Sequence, residues 1–313
     1  MTNRYPADSK ARTKAVLQAF LVTFLWSTSW ILIKLGLQAG LPALSFAGLR
    51  YFLAAICLMP FVLIHSDQRK KIRQISKPNW VQLTILGILF YSITQGAQYL
   101  SLRQLPAVMV SFIFNLSPVM IALASGFFLK ESPTPQQCAG IFLAILGTLY
   151  FFYPLVFSNG EALGYIFALI TVVAYSASSL LGRHLALRSG LSPILITSIS
   201  MSIGGFLLLL LGGVTEGFGQ PNLVQWLIIG WLAIVNTAFA FTLWNTTLRH
   251  LKAFESSVIS NTMLIQIAIL SWIFLNEQLE TKQLFAILLL MIGTLTVQLG
   301  RPKAHEDKPA DTN

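Results

Sequence analysis

Polar residues along this 313-residue chain fall in short clusters, and long apolar runs fill the space between them. A helix that crosses a bilayer needs roughly 20 mostly apolar residues. Ten runs approach or reach that length: 15–37, 43–64, 81–101, 107–129, 136–153, 163–183, 193–211, 224–247, 254–275 and 283–300. The breaks carry turn chemistry, as in Gly40-Leu41-Pro42, Ser132-Pro133-Thr134-Pro135 and Ser158-Asn159-Gly160. Most breaks are too short to hold a soluble catalytic domain. The pattern predicts an all-α polytopic membrane protein with ten transmembrane helices and polar tails at 1–14 and 301–313.

Composition agrees. The chain is 55% hydrophobic and 10% charged, with a mean hydropathy of +0.70, whereas a soluble domain is about a quarter charged. The net charge of +10 would point to nucleic acid in a soluble protein, but here position matters more than total. With the N-terminus in the cytoplasm, 17 of the 21 Lys and Arg residues fall in cytoplasmic segments. Only Arg103 and Lys282 lie in outer loops, and Lys34 and Arg50 lie within spans. The positive-inside bias therefore predicts a multi-pass protein of the inner or plasma membrane with both termini cytoplasmic. The first span exceeds the ~7–15 residues of a signal-peptide core and is expected to stay uncleaved. Expected partners are the lipid bilayer and a small-molecule substrate, not nucleic acid.

Self-comparison exposes a duplication. Moving residues 102–149 by 146 positions lays them on 248–295 without a gap. Polar and glycine pairs carry the match, including Arg103/Arg249, Ser111/Ser257, Asn115/Asn261, Glu131/Glu277, Gln137/Gln283 and Gly147/Gly293. Two five-helix repeats are expected, at 15–153 and 163–300. Because five is odd, the second repeat enters the membrane from the opposite side, so the repeats are inverted. Inverted repeats around a midplane site are the architecture of secondary transporters.

At a shift of 149, the polar patch Phe24-Leu25-Trp26-Ser27-Thr28-Ser29-Trp30 falls on a Tyr175–Ser179 stretch. Trp26, Trp30 and Lys34 share one helix face, as do Tyr175, Ser179 and Arg183. Each face offers aromatic or hydroxyl groups at mid-depth and a cation toward one mouth, which suits a cavity lining.

These stretches, with Arg50 in FAGLRYFLAA and the Leu-x-Glu turns at Leu129–Glu131 and Leu275–Glu277, resemble the drug/metabolite transporter superfamily and its EamA-type members. The resemblance covers about residues 15–300. It implies ten helices in two inverted units that move small metabolites, often outward.

Candidate site residues follow from type and depth. An arginine at mid-span costs about 2.5–3.5 kcal/mol on insertion scales and faces a cavity or a partner. Arg50 is a candidate for holding an anionic group such as a carboxylate; capping carbonyls of a neighbouring helix, or snorkelling, is the alternative. Lys34 has the same two readings. Tyr91 and Gln95, with their repeat partners Thr237 and Phe241 and the neighbouring Trp244 and Asn245, suit a pocket that orients a partly flat polar solute. The competing role is interhelical hydrogen bonding. The candidate substrate-binding set is Trp26, Ser27, Trp30, Arg50, Tyr91, Gln95, Asn115, Tyr175, Ser179, Thr237, Trp244, Asn245 and Asn261. Lys34, Glu131, Arg183 and Glu277 are candidates for gating. The two glutamates are also read as stabilising the N-termini of the helices that follow them, or as pairing with nearby cations, with Thr134 capping the fifth span. A cavity lined by spans one, three, six and eight is expected, with spans two, four, seven and nine contributing and spans five and ten peripheral.

No Asp, Glu or His falls at mid-depth, where proton relays sit, so facilitation or exchange competes with proton coupling. Phosphate loops, metal clusters and nucleophile triads are absent, so neither enzyme chemistry nor a cofactor is expected. Cys57 and Cys138 lie in spans and suggest no disulfide. The functional expectation is a secondary transporter exporting an amino acid-like or drug-like metabolite by alternating access. Uptake or exchange, and a receptor or scaffold without flux, are the alternatives.

Overall fold

The computed structural model describes residues 9–129, 134–153, 161–248, 250, 251 and 253–300. Glu131, residues 154–160 and the ends of both tails lie outside these residues. The described chain makes ten helical passes. They are α1 (Ser9–Gln38), α2 (Ala43–Ile64), α3 (77–104), α4 (Ala107–Phe114 and Ser117–Leu129) and α5 (Pro135–Phe152). The second half adds α6 (Ala162–Arg188), α7 (Pro193–Thr215), α8 (Leu223–Thr247), α9 (Ala253–Leu275) and α10 (Thr281–Leu299). A short helix, Ser66–Arg73, follows α2. α1 reaches back into the stretch expected to be a polar tail, because helix geometry continues past the apolar run.

Among the described residues, nine helices are long and apolar enough to span a bilayer. The remaining pass is α3, whose hydropathy is diluted by Gln82, Thr84, Ser92, Thr94, Gln95, Gln98 and Ser101. Thr94, Gln95, Gln98 and Ser101 are buried. These four side chains are thus shielded from lipid by neighbouring helices, as intramembrane polar groups require.

Two local departures from α-geometry matter for the site. α4 breaks at Asn115–Leu116 ahead of Pro118, whose missing N–H frees the Phe114 carbonyl. The Ser117 hydroxyl takes that carbonyl, and Asn115 donates its side-chain amide to Ser111 O at 2.9 Å. α3 widens into a π-helix at Gly87–Thr94 and α8 at Ile234–Phe239. Moving the first segment by the repeat offset of 146 lands on the second. π-turns are rare and concentrate at functional sites.

Packing obeys the same duplication. α2 pairs with α7 and α5 with α10, while α1 packs on α8 and α9 as α6 packs on α3 and α4. Exchanging the two halves leaves this list unchanged, as a pseudo-two-fold axis demands. Both self-paired contacts run antiparallel and need glycine. A Cβ on Gly212 would stand 2.4 Å from the Ser45 amide nitrogen, and one on Gly48 2.4 Å from Leu209 Cα. Gly147 and Gly293, matched by the repeat, play the same part between α5 and α10, where a Cβ would meet backbone at 2.9 and 2.5 Å. Close approach of small residues replaces the hydrophobic driving force that lipid removes.

The helix starts repeat as well. Thr134 and Gln137 form a capping box on α5, and Glu280 and Gln283 form one on α10. Glu277 therefore does not cap α10, contrary to the sequence expectation. Asn276, in the left-handed region at φ 56°, ends α9 and turns Glu277 toward α4 instead.

Candidate functional site

A cavity of about 250 Å³ opens between α3, α6, α7 and α8. Of its lining residues, Phe90, Tyr91 and Tyr175 come from near the middle of α3 and α6, and Phe241 comes from the second half of α8. Gly182, Ala186 and Pro193 line it toward the end of the molecule where α6 gives way to α7. At a rise of 1.5 Å per residue, the cavity runs from mid-depth to that end, where α1 also begins and α10 finishes. This is the tail end; the opposite one is the far end.

Of the expected residues, Tyr91, Tyr175 and Ser179 line the cavity directly. α7 contributes Ile196, Thr197 and Ser200, which the sequence reading did not single out. Ser200 Oγ is buried without a hydrogen-bond partner, as is Trp26 Nε1. α1 supplies no lining residue, which corrects the expectation for the first span. Trp26 stands behind Phe241 and Trp244, with ring centroids 5.4 and 5.3 Å away. Trp30 is buried against Phe114 at 5.9 Å, and Phe114 against Tyr175 at 4.8 Å. Asn245 is half-buried near the tail end of α8.

Other expected residues hold helices together. Ser27 donates to Gln266 Oε1 on α9 at 2.9 Å. Asn261 donates to Met291 O and Thr294 Oγ1 on α10 at 3.2 and 3.1 Å. Gln95 accepts from the Tyr51 hydroxyl at 2.6 Å and lies behind Tyr91, because the π-turn between them shifts the helix register. Asn236, which the sequence reading passed over, is fully buried and donates to Leu25 O, Thr28 and Ser29 on α1. It stands in the π segment of α8, where hydropathy alone gives no signal.

The two cations inside the spans differ. Lys34 Nζ donates to Leu102 O and Leu105 O, both at 2.7 Å, at the C-terminus of α3. There a cation meets unpaired carbonyls and the negative end of the helix dipole. Arg50 is 4% exposed. Its Nε donates to Thr237 Oγ1 at 3.0 Å, and its two terminal nitrogens reach the hydroxyls of Tyr99 and Ser29 at 3.4 Å each. The Tyr51 ring covers the guanidinium, 5.0 Å from Cζ.

The far end is closed by polar caps. The Glu277 carboxylate accepts from the Ala107 and Val108 amides at 2.7 and 3.1 Å, opposite in sign to the neighbouring Lys34 site. Glu216 accepts from the Leu44 amide at 2.7 Å and pairs with Arg103 at 3.3 Å. Gln225 donates to Ala39 O at 2.8 Å, and Ser101 to Gly164 O at 2.9 Å. Apart from Lys34, these bonds join the first repeat to the second. At the tail end Arg183, the repeat partner of Lys34, is exposed.

Known proteins are similar to this chain in sequence and in fold. The chain is 26% identical to an S-adenosylmethionine/S-adenosylhomocysteine transporter of Chlamydia trachomatis serovar L2, over 89% of this chain and 87% of the relative. It is 28% identical to the uncharacterized transporter YvbV of Bacillus subtilis, over 95% of this chain and 94% of that one. A solved crystal structure superposes with a TM-score of 0.66 at 21% identity, covering 91% of this chain and 98% of the other. The model of the EamA-like transporter family matches residues 13–153 and again 162–299. A cavity open at one end, doubled packing and a doubled family match agree: this chain is a membrane transporter and belongs to the EamA-like transporter family.

Proposed function

We propose that the protein exports a small polar or amphipathic metabolite across the cell membrane by alternating access, with its tail end in the cytoplasm. The observation that carries this reading is the one-sided cavity. It reaches mid-depth between helices of both repeats, and bonds between the repeats close it at the far end. Exchanging the conformations of the repeats, 15–153 and 163–300, would close the tail end and open the far end. The rings of Phe90, Tyr91, Tyr175 and Phe241 suit an amino acid-like or heteroaromatic solute. The Chlamydia relative makes S-adenosylmethionine and S-adenosylhomocysteine the first cargoes to test. Exchange rather than proton coupling is favoured because Glu277 already commits both carboxylate oxygens to backbone amides.

The test is flux from liposomes holding the purified protein, preloaded in turn with these two compounds and the common amino acids. Protein-dependent release of at least one is expected. Release no faster than from empty liposomes for every compound would sink the carrier reading and leave a receptor or scaffold. Orientation is tested separately: an impermeant maleimide added to intact cells should label Gln220→Cys and spare Gln74→Cys. The reverse pattern would overturn it.

A further inference from the structure

Lys34 is half-buried and Arg50 buried in apolar spans, yet only Lys34 has found the partners expected of an intramembrane cation. Among the described residues Arg50 contacts no backbone carbonyl, so the capping alternative does not describe it. Each of its three hydrogen bonds goes to a neutral hydroxyl. Among the described residues, no carboxylate lies within ion-pairing distance of it. A guanidinium keeps its proton in proteins and presents five N–H donors. A buried charge without a counter-charge is costly.

The loosely held part of the group is also informative. The Nε contact is an ordinary 3.0 Å, whereas both terminal nitrogens sit 3.4 Å from their partners, beyond the usual 2.7–3.2 Å range. Those two nitrogens form an edge that a carboxylate can take with two parallel bonds. Its neighbours Ser29, Tyr99 and Thr237 come from α1, α3 and α8, so both repeats meet at this group.

We infer that Arg50 is the anchor for a carboxylate on the transported solute, an inference that rests on the carrier reading above. The other intramembrane cation, Lys34, is committed to carbonyls, so a lone guanidinium is left, which matches a singly charged carboxylate better than a phosphate dianion. Access runs through one layer of rings. Tyr91 lines the cavity and packs on Tyr51 at 5.6 Å, and Tyr51 covers Arg50. Entry of the carboxylate swings Tyr51 off the guanidinium and replaces the long Tyr99 and Ser29 contacts.

The experiment measures binding of matched pairs to the purified full chain. The pairs are leucine with isoamylamine, phenylalanine with phenethylamine, and S-adenosylhomocysteine with its decarboxylated analogue 5′-S-(3-aminopropyl)-5′-thioadenosine; glucose 6-phosphate serves as the phosphate arm. In at least one pair the carboxylate member should bind about tenfold tighter or more. Arg50→Gln should reduce that preference to about one, while Arg50→Lys should retain part of it and report on folding. No carboxylate preference in any pair, a preference that survives in Arg50→Gln, or a stronger response to the phosphate would each overturn the inference. Flux without carboxylate preference would leave the carrier reading standing, whereas absence of all flux would sink the carrier reading itself.

Discussion

The two ends of the molecule are built from matched sequence yet stand in different states. At the far end Lys34 caps the close of α3, and Glu277 caps the start of α4 at the same corner. The repeat offsets carry Lys34 to Arg183, and carry Leu102 and Leu105 to Leu248 and Leu251. At the tail end Arg183 is exposed, and the flanking Gly182 and Ala186 line the cavity instead of a seal. One set of residues is thus seen closed in one copy and open in the other. The difference teaches that the seal is conformational rather than a fixed property of either half.

The strongest way to break the comparison is Glu277→Ala. It leaves two amides unpaired, each worth roughly 1–3 kcal/mol where buried. The far end should loosen, and an Ala107→Cys reporter should react about tenfold faster or more with impermeant maleimide added to intact cells. An unchanged rate would show that the closure is held elsewhere. Lys34→Ala removes two charge-assisted bonds but leaves carbonyls, which tolerate a missing partner better than amides do. A smaller, severalfold rise at the same reporter is expected; a larger rise than for Glu277→Ala would reverse the assignment.

Arg183→Ala sharpens the comparison from the open side. Arg183 is exposed, so the unfolding free energy should stay within about 0.5 kcal/mol of wild type. Flux in liposomes should nevertheless fall severalfold, because closing the tail end would place Arg183 against the Leu248 and Leu251 carbonyls. Normal flux would show that the tail end closes without a counterpart of Lys34. Least is expected of Arg103→Ala. Its pair with Glu216 is 60% exposed on the arginine side, and such pairs contribute about 0–1 kcal/mol. Labelling at Ala107→Cys should not move, and a clear increase would promote this pair to part of the seal.

Much of the framework was legible because hydropathy and repetition are local properties. Ten apolar runs, a 146-residue offset and the Thr134 cap can be read without a partner in view. The polar helix α3 was legible as a span only because its length and repeat match outweigh its glutamines. The cavity was less legible. Ser200 and Thr197 belong to a helix whose serines resemble ordinary small packing residues, and Gln95 lies behind Tyr91 because a π-turn intervenes. Asn115, Asn261 and Ser27 look like pocket residues by type, yet each has a helix carbonyl or side chain within reach.

By itself the sequence determined that the chain crosses the membrane repeatedly, that it is doubled and inverted, and that a few costly polar groups lie at depth. These follow from transfer free energy along the chain and from the parity of five. Only the tertiary structure decided which carbonyls Lys34 would cap, which helix start Glu277 would serve, and that Arg50 would meet hydroxyls alone. Such choices depend on how helices are rotated and how closely glycines let them approach, and a one-dimensional pattern of apolar residues carries neither quantity.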